Sequence, residues 1–295
     1  MDQPVKHSFT KRTEALITPK AVARLYGRAE MLSRLPLRVQ QWIVGRATRE
    51  GQYIGFVVEP YALFLAYEIA DEHAARELLP QHYRLTPTAM FSGTEPRYAV
   101  IVAAFNVHTS VFWGSRVEFY VIAENTETGL LSWVMCDYES NSISYDPARG
   151  FSAASTSRSV VTTSHTGDIV VDVEGAQSGH RFAATASLEG ASLSPLEQRL
   201  WLEGNLSVDY GGRLMDPGSV PFGLVFEPDE VERALEIPLG SVSVERNTYV
   251  EGLANEPFEA CTFPYAQHYQ TTSFPTASPI RDRASLERTA AGLTS

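Results

Sequence analysis

The chain has 295 residues, enough for one large domain or two small ones and for a substantial buried core. Its formal net charge is -11, and 44% of its residues are hydrophobic and 20% charged. That balance suits an ordinary globular protein and argues against nucleic acid as a partner, because a phosphate backbone needs clustered Lys and Arg.

Lysine occurs only at Lys6, Lys11 and Lys20, and the one basic stretch, Lys6 to Arg28, reads as a solvated tail leading into a helix. Cys136 and Cys261 are too few for a disulfide framework or a four-cysteine zinc site, and Cys136 lies in an apolar run that predicts a buried thiol. The polar N-terminus has no apolar signal core, and no run of about 18 apolar residues occurs. The expected protein therefore has no membrane span and resides in the cytoplasm.

Residues 1–16 are polar and read as a frayed end. Thr18-Pro19 reads as a helix start, with Val22, Leu25, Met31 and Leu32 at helical spacing; a second helix follows Pro36 through Val39, Trp42 and Ile43. Residues 1–50 are thus expected to form a helical extension. From Gln52 the chain turns aromatic and β-branched. Strands are predicted over Tyr53–Val58, Tyr61–Ile69, Tyr98–Val107, Arg116–Ala123 and Leu130–Asp137, with turn chemistry at Glu124–Gly129. Asp71 caps a short helix that Pro80 stops. Residues 140–157, rich in Ser and Ala, read as a long loop or a loop with one helical turn.

Further strands are expected near Val160 and over Asp168–Glu174, Arg181–Leu188, Arg199–Tyr210, Val242–Val250 and Pro257–Tyr265, with a short helix over Pro228–Leu235 and a weak helix in the tail after Pro275. Many strands and few helices predict a mainly β fold, an antiparallel barrel or packed sheets over residues 51–275, followed by a C-terminal tail over 276–295.

Three segments in order resemble the acetoacetate decarboxylase family. They are Tyr61–Tyr67 with Glu72–Pro80 and Leu85–Pro87; His108–Ser110 with Trp113–Glu118; and Trp133–Asp137 with Arg149-Gly150-Phe151 and Gly167–Glu174. Together they span roughly residues 50–190, and each is weak alone. The resemblance implies the family's β-fold, a homo-oligomer, and a glutamate at Glu118. It also marks departures. In the family a lysine after the Gly-aromatic pair forms a Schiff base, whereas here Gly150-Phe151 is followed by Ser152-Ala153-Ala154-Ser155. A second family glutamate falls near Ile101, and the family's arginine near Glu59. Serine cannot form an iminium, so the resemblance predicts a divergent member that lacks the electron sink for classical decarboxylation.

Arg116 and Glu118 stand two apart on a predicted strand and so share a face. If that face is a cavity wall, Glu118 is a buried carboxylate beside a cation, fit for general acid or base work; if it is the surface, the two form an exposed ion pair of little consequence. Arg149 offers a planar donor fork for a carboxylate or enolate oxygen, or a hydrogen bond that merely stabilises its loop. His108 is a proton shuttle or a satisfied polar histidine. Trp113, Tyr138, Phe151 and Ser152 complete the expected substrate-binding set. Gly150-Phe-Ser152 matches a nucleophile elbow only in part, without the strand-turn-helix that motif requires. No spacing suggests a metal, and no cofactor is expected.

The sequence thus points to a small-molecule enzyme moving protons on a carbonyl-bearing or polyketide-like substrate, as a lyase, dehydratase, isomerase or cyclase. The competing reading is a non-catalytic binding protein for an apolar small molecule.

Overall fold

A computed structural model describes residues 6–17, 28, 31–49, 55–109, 113–146, 148–218, 220–271 and 278–294. Eighteen strands run in chain order: β1 Gly55–Val58, β2 Leu63–Ile69, β3 Tyr83–Leu85, β4 Ala99–Thr109, β5 Trp113–Asn125, β6 Leu131–Ser140, β7 Ser144–Asp146, β8 Gly150–Ser152, β9 Thr156–Thr163, β10 Asp168–Gly175, β11 Arg181–Ser187, β12 Ser192–Pro195, β13 Val208–Tyr210, β14 Leu224–Val225, β15 Arg233–Glu236, β16 Val242–Asn247, β17 Ala254–Thr262 and β18 Gln267–Thr271. The fold is mainly β, as the alternating and β-branched segments predict. Among the described residues, four α-helices longer than a single turn accompany the sheets: α1 Lys6–Leu16, α2 Leu37–Arg49, α3 Glu72–Glu77 and α4 Arg283–Thr294.

Twelve strands form one sheet in which the long β4 branches: one edge pairs β2 and then β1, and the other pairs β5 throughout. From β5 the ladder continues to β6 and to β13, which is parallel to β6. A single bridge, Val208 with Phe222, then leads to β14, β18, β1 and back to β4. The strands therefore curl into a ring joined at one point by an isolated bridge, short of a closed barrel.

β9, β10, β11 and β16 form a separate antiparallel sheet, and β7 with β8 a hairpin. Period-two alternation divides the core. Leu63, Leu65, Val100, Val102, Val117 and Val121 face the four-stranded sheet, meeting Ile169, Val171 and Phe182. The opposite face carries Ile101, Phe105, Ile122, Trp133 and Tyr269.

Several expectations change. Residues 6–16 are an ordered helix, because Phe9 and Thr13, one turn apart, are fully buried against the body. The Thr18-Pro19 helix start lies largely outside the described residues. Residues 140–157 contain the β7–β8 hairpin and not a plain loop. Arg199–Leu206 is a π turn continued by one α turn, because Trp201 and Leu206 pack inward from it and the Trp201 indole N–H donates to the Met90 carbonyl at 2.9 Å. The helix expected at Pro228 is a 3-10 turn, Pro228–Val231, leading into β15. The second helix, the Asp71 cap and the C-terminal helix appear as expected; Asp71 Oδ1 accepts from the backbone N–H groups of His73 and Ala74, both at 3.0 Å.

Candidate active site

β5 places Arg116, Glu118 and Tyr120 on one face, the i, i+2, i+4 consequence of the pleat. Glu118 is 6% exposed and Arg116 9%. The Arg116 Nε–H donates to Glu118 Oε1 at 2.6 Å, and the Tyr120 hydroxyl donates to Glu118 Oε2. Burial works against the charge on Arg116, but Glu118 more than restores it, and the guanidinium titrates above its ordinary value. Burial and the neighbouring Glu118 charge raise the Tyr120 phenol well above its ordinary range, so near neutral pH it is a protonated donor.

β6 supplies the adjoining wall. Tyr138 stands directly across from Glu118, and the Arg116 guanidinium lies 4.4 Å over its ring. The β7–β8 hairpin closes over this pair. The Arg116 Nη1–H donates to Ser144 Oγ at 3.0 Å, and the Tyr138 hydroxyl donates to Asp146 Oδ2 at 3.3 Å. Asp146, wholly buried, also accepts from Arg149, whose guanidinium reaches 5.8 Å from the Tyr138 ring while staying 41% exposed.

The hairpin is itself pinned from outside. Gly150 adopts φ +77°, a left-handed conformation that favours glycine, and a Cβ there would also displace the Gln40 side chain of α2. Gln40 Oε1 accepts from the Phe151 backbone N–H at 2.7 Å. The remaining wall is β13, where Tyr210 aligns with Met135 of β6, which in turn aligns with Tyr120 of β5.

The structure thus gathers Arg116, Glu118, Tyr138 and Arg149. Phe151 and Ser152 sit on the hairpin beside them, Phe151 packed on Tyr145 with ring centroids 4.9 Å apart and Ser152 paired with Ser144. His108 and Trp113 are not gathered. They pair with each other across β4 and β5 on the opposite face, each more than a third exposed, and His108 Nε2 meets Glu59 at 2.5 Å. Sequence reasoning missed Tyr120 and Tyr210. Tyr120 continues the same two-residue period and was within reach of that argument; Tyr210 comes from a distant strand and has no local signal.

The other face of β6 holds a second charged network. Arg213 donates to Asp137 and, at 2.9 Å, to the Tyr138 carbonyl; His180 lies 3.3 Å from Asp137 and stacks on Tyr249. Glu139, 2% exposed, accepts from Ser178 at 2.5 Å, and its second oxygen has no partner among the described residues. Burial raises the Asp137 pKa, with Arg213 and His180 pulling it partly back. Among the described residues no group of His, Cys, Asp and Glu is arranged to hold a metal ion.

No family model and no curated protein matches the chain. Among solved structures, it is similar to an acetoacetate decarboxylase from Legionella pneumophila subsp. pneumophila str. Philadelphia 1, with 11% identity and a TM-score of 0.48 over 78% of this chain and 88% of that one. It is also similar to a structure from structural studies of acetoacetate decarboxylase, with 12% identity and a TM-score of 0.38 over 77% and 90%.

Proposed function

We propose that this protein is an enzyme that transfers protons on a small carbonyl-bearing molecule without a covalent intermediate, with Glu118 as the proton carrier. The observation that carries this reading is the buried Arg116–Glu118–Tyr120 row on one face of β5. A carboxylate held between a cation and a neutral phenol, away from bulk water, has the makings of a general base whose protonated form can return the proton elsewhere on the substrate. Arg116 and, at the rim, Arg149 supply positive charge near a developing oxyanion. Schiff-base chemistry has no support in the sequence after position 20, where no lysine occurs. The lysines of the chain, Lys6, Lys11 and Lys20, all precede the β-domain; Lys11 is exposed on α1, and Lys20 lies outside the described residues.

The test is α-proton exchange in D2O, followed by mass spectrometry over β-keto esters, diketones and simple ketones. The wild type exchanges at least one of them, and Glu118→Gln loses roughly 100-fold or more of the rate. Equal rates in both proteins sink the mechanism.

One observation favours the competing reading of a binding protein: both Glu118 oxygens already accept hydrogen bonds, from Arg116 and Tyr120. On that reading a ligand raises the melting temperature and is recovered unchanged.

A further inference from the structure

Tyr120, Met135 and Tyr210 stand in register on three adjacent strands, β5, β6 and β13. Aligned residues of neighbouring strands point to the same face, and strands lie about 4.8 Å apart, so the two tyrosine backbones are separated by about 10 Å with Met135 between them. Both rings pack against Met135, so the three side chains form one continuous apolar wall. Met135, 8% exposed, is the adaptable centre of that wall, and Tyr138 and Leu214 complete the cluster around it.

The two phenols differ in one respect. The Tyr120 hydroxyl is committed to Glu118. The Tyr210 hydroxyl makes no hydrogen bond to any described residue, although its ring is held by Phe222, with centroids 6.0 Å apart. It is also absent from the buried polar atoms left without a partner, so solvent or a ligand reaches it. Burial, with the nearby Tyr138, Asp146 and Glu118 adding to it against Arg116, raises its pKa, which keeps it a donor at every physiological pH.

We propose that Tyr210 is a further catalytic residue of this site, its free hydroxyl donating a hydrogen bond to the carbonyl oxygen of an enolisable substrate whose α-carbon lies at Glu118. This rests on the reading of Glu118 as the proton carrier. When the Glu118 carboxylate takes the α-proton, the C–H pair becomes the C=C bond and the carbonyl π pair moves onto oxygen. Tyr210 stabilises that oxyanion without giving up its proton. The proton on Glu118 then returns to carbon at the same or a conjugated position, or leaves with a β-hydroxyl as water, and the atoms balance in each case.

4-Nitrophenolate, a conjugated oxyanion, serves as the probe of the Tyr210 hydroxyl, because its binding needs no turnover and its absorbance reports its ionisation. The wild type binds it and lowers its apparent pKa. Tyr210→Phe weakens binding at least about tenfold, as expected for a lost hydrogen bond to a charged group, and melts at the wild-type temperature because no protein hydrogen bond is lost. Glu118→Gln binds at least as tightly, since the neutral amide mimics the protonated carrier. Equal binding by wild type and Tyr210→Phe overturns the proposal, as does a wild type that does not bind the probe. Failure of the parent reading is separate: it shows as undiminished α-proton exchange in Glu118→Gln, whatever Tyr210→Phe does to probe binding.

Discussion

Each face of the β5–β6 ladder sets an arginine against buried carboxylates, Arg116 itself buried and Arg213 37% exposed, and the two are used differently. On one face Arg116 and Glu118 belong to the same strand, and the groups around them include a phenol, Tyr210, that bonds to nothing in the described protein. On the other, Arg213 follows β13, Asp137 and Glu139 lie on β6, and His180 and Ser178 come from the turn before β11, so the network ties the large sheet to the four-stranded one. A buried ion pair is weak evidence for stability by itself. The difference shows where to look for its purpose: a network that spans layers fixes their docking, and one confined to a single face with unspent donors is available to a ligand.

The largest expected effect is at the layer-spanning face. Arg213→Ala removes the guanidinium shared by the buried Asp137 and Glu139; because that group is 37% exposed and His180 still faces Asp137, unfolding by urea should show a loss of about 1–2 kcal/mol. If that variant is as stable as the parent, the network does not hold the sheets together.

A smaller effect is expected at the α1 junction, where His268 lies between Glu230 and Glu14, 3.3 Å from each. Burial opposes the charge on His268, but the two glutamates outweigh it and raise its pKa. A raised histidine stabilises the folded state fully below its unfolded pKa of about 6.5, and that contribution fades as pH climbs through the higher folded value. His268→Gln should therefore melt several degrees below the wild type at pH 5.5 and converge on it at alkaline pH. A gap that widens with rising pH would reverse the assignment.

The smallest effect is expected at the candidate site. The double variant Arg116→Met/Glu118→Met removes both charges together and should keep or raise the melting temperature, because paired buried ions are replaceable by apolar groups and functional sites are often built at a cost to stability. A loss as large as that of Arg213→Ala would make the two faces equivalent and weaken the case that one of them serves a ligand.

Much of this arrangement was readable in the sequence. β5 and β6 announce themselves by composition, and Arg116 with Glu118 follows from spacing alone. Residues 6–16 did not, because one buried phenylalanine in a polar stretch leaves almost no periodic signal, and the burial of Thr13 exists only once β18 is beside it, with Gln270 donating to Thr13 at 2.9 Å. Leu200-Trp201-Leu202 reads as a buried strand, since a short apolar run does not distinguish strand from helix turn. His108 and Trp113 entered the expected site with the second segment of the family resemblance, and the pleat sends them to the other side of the sheet. Tyr210 joins it through a pairing between distant parts of the chain.

That pairing has a kinetic consequence. β13 lies parallel to β6, and a parallel neighbour cannot be reached by a tight turn. Residues 141–207, which include the hairpin and most of the second sheet, separate the two strands. Closing so long an excursion is entropically slow, and contacts distant in sequence tend to form late. The Tyr210 side of the site is therefore completed near the end of folding, and a chain stalled earlier presents Glu118 with its far wall missing.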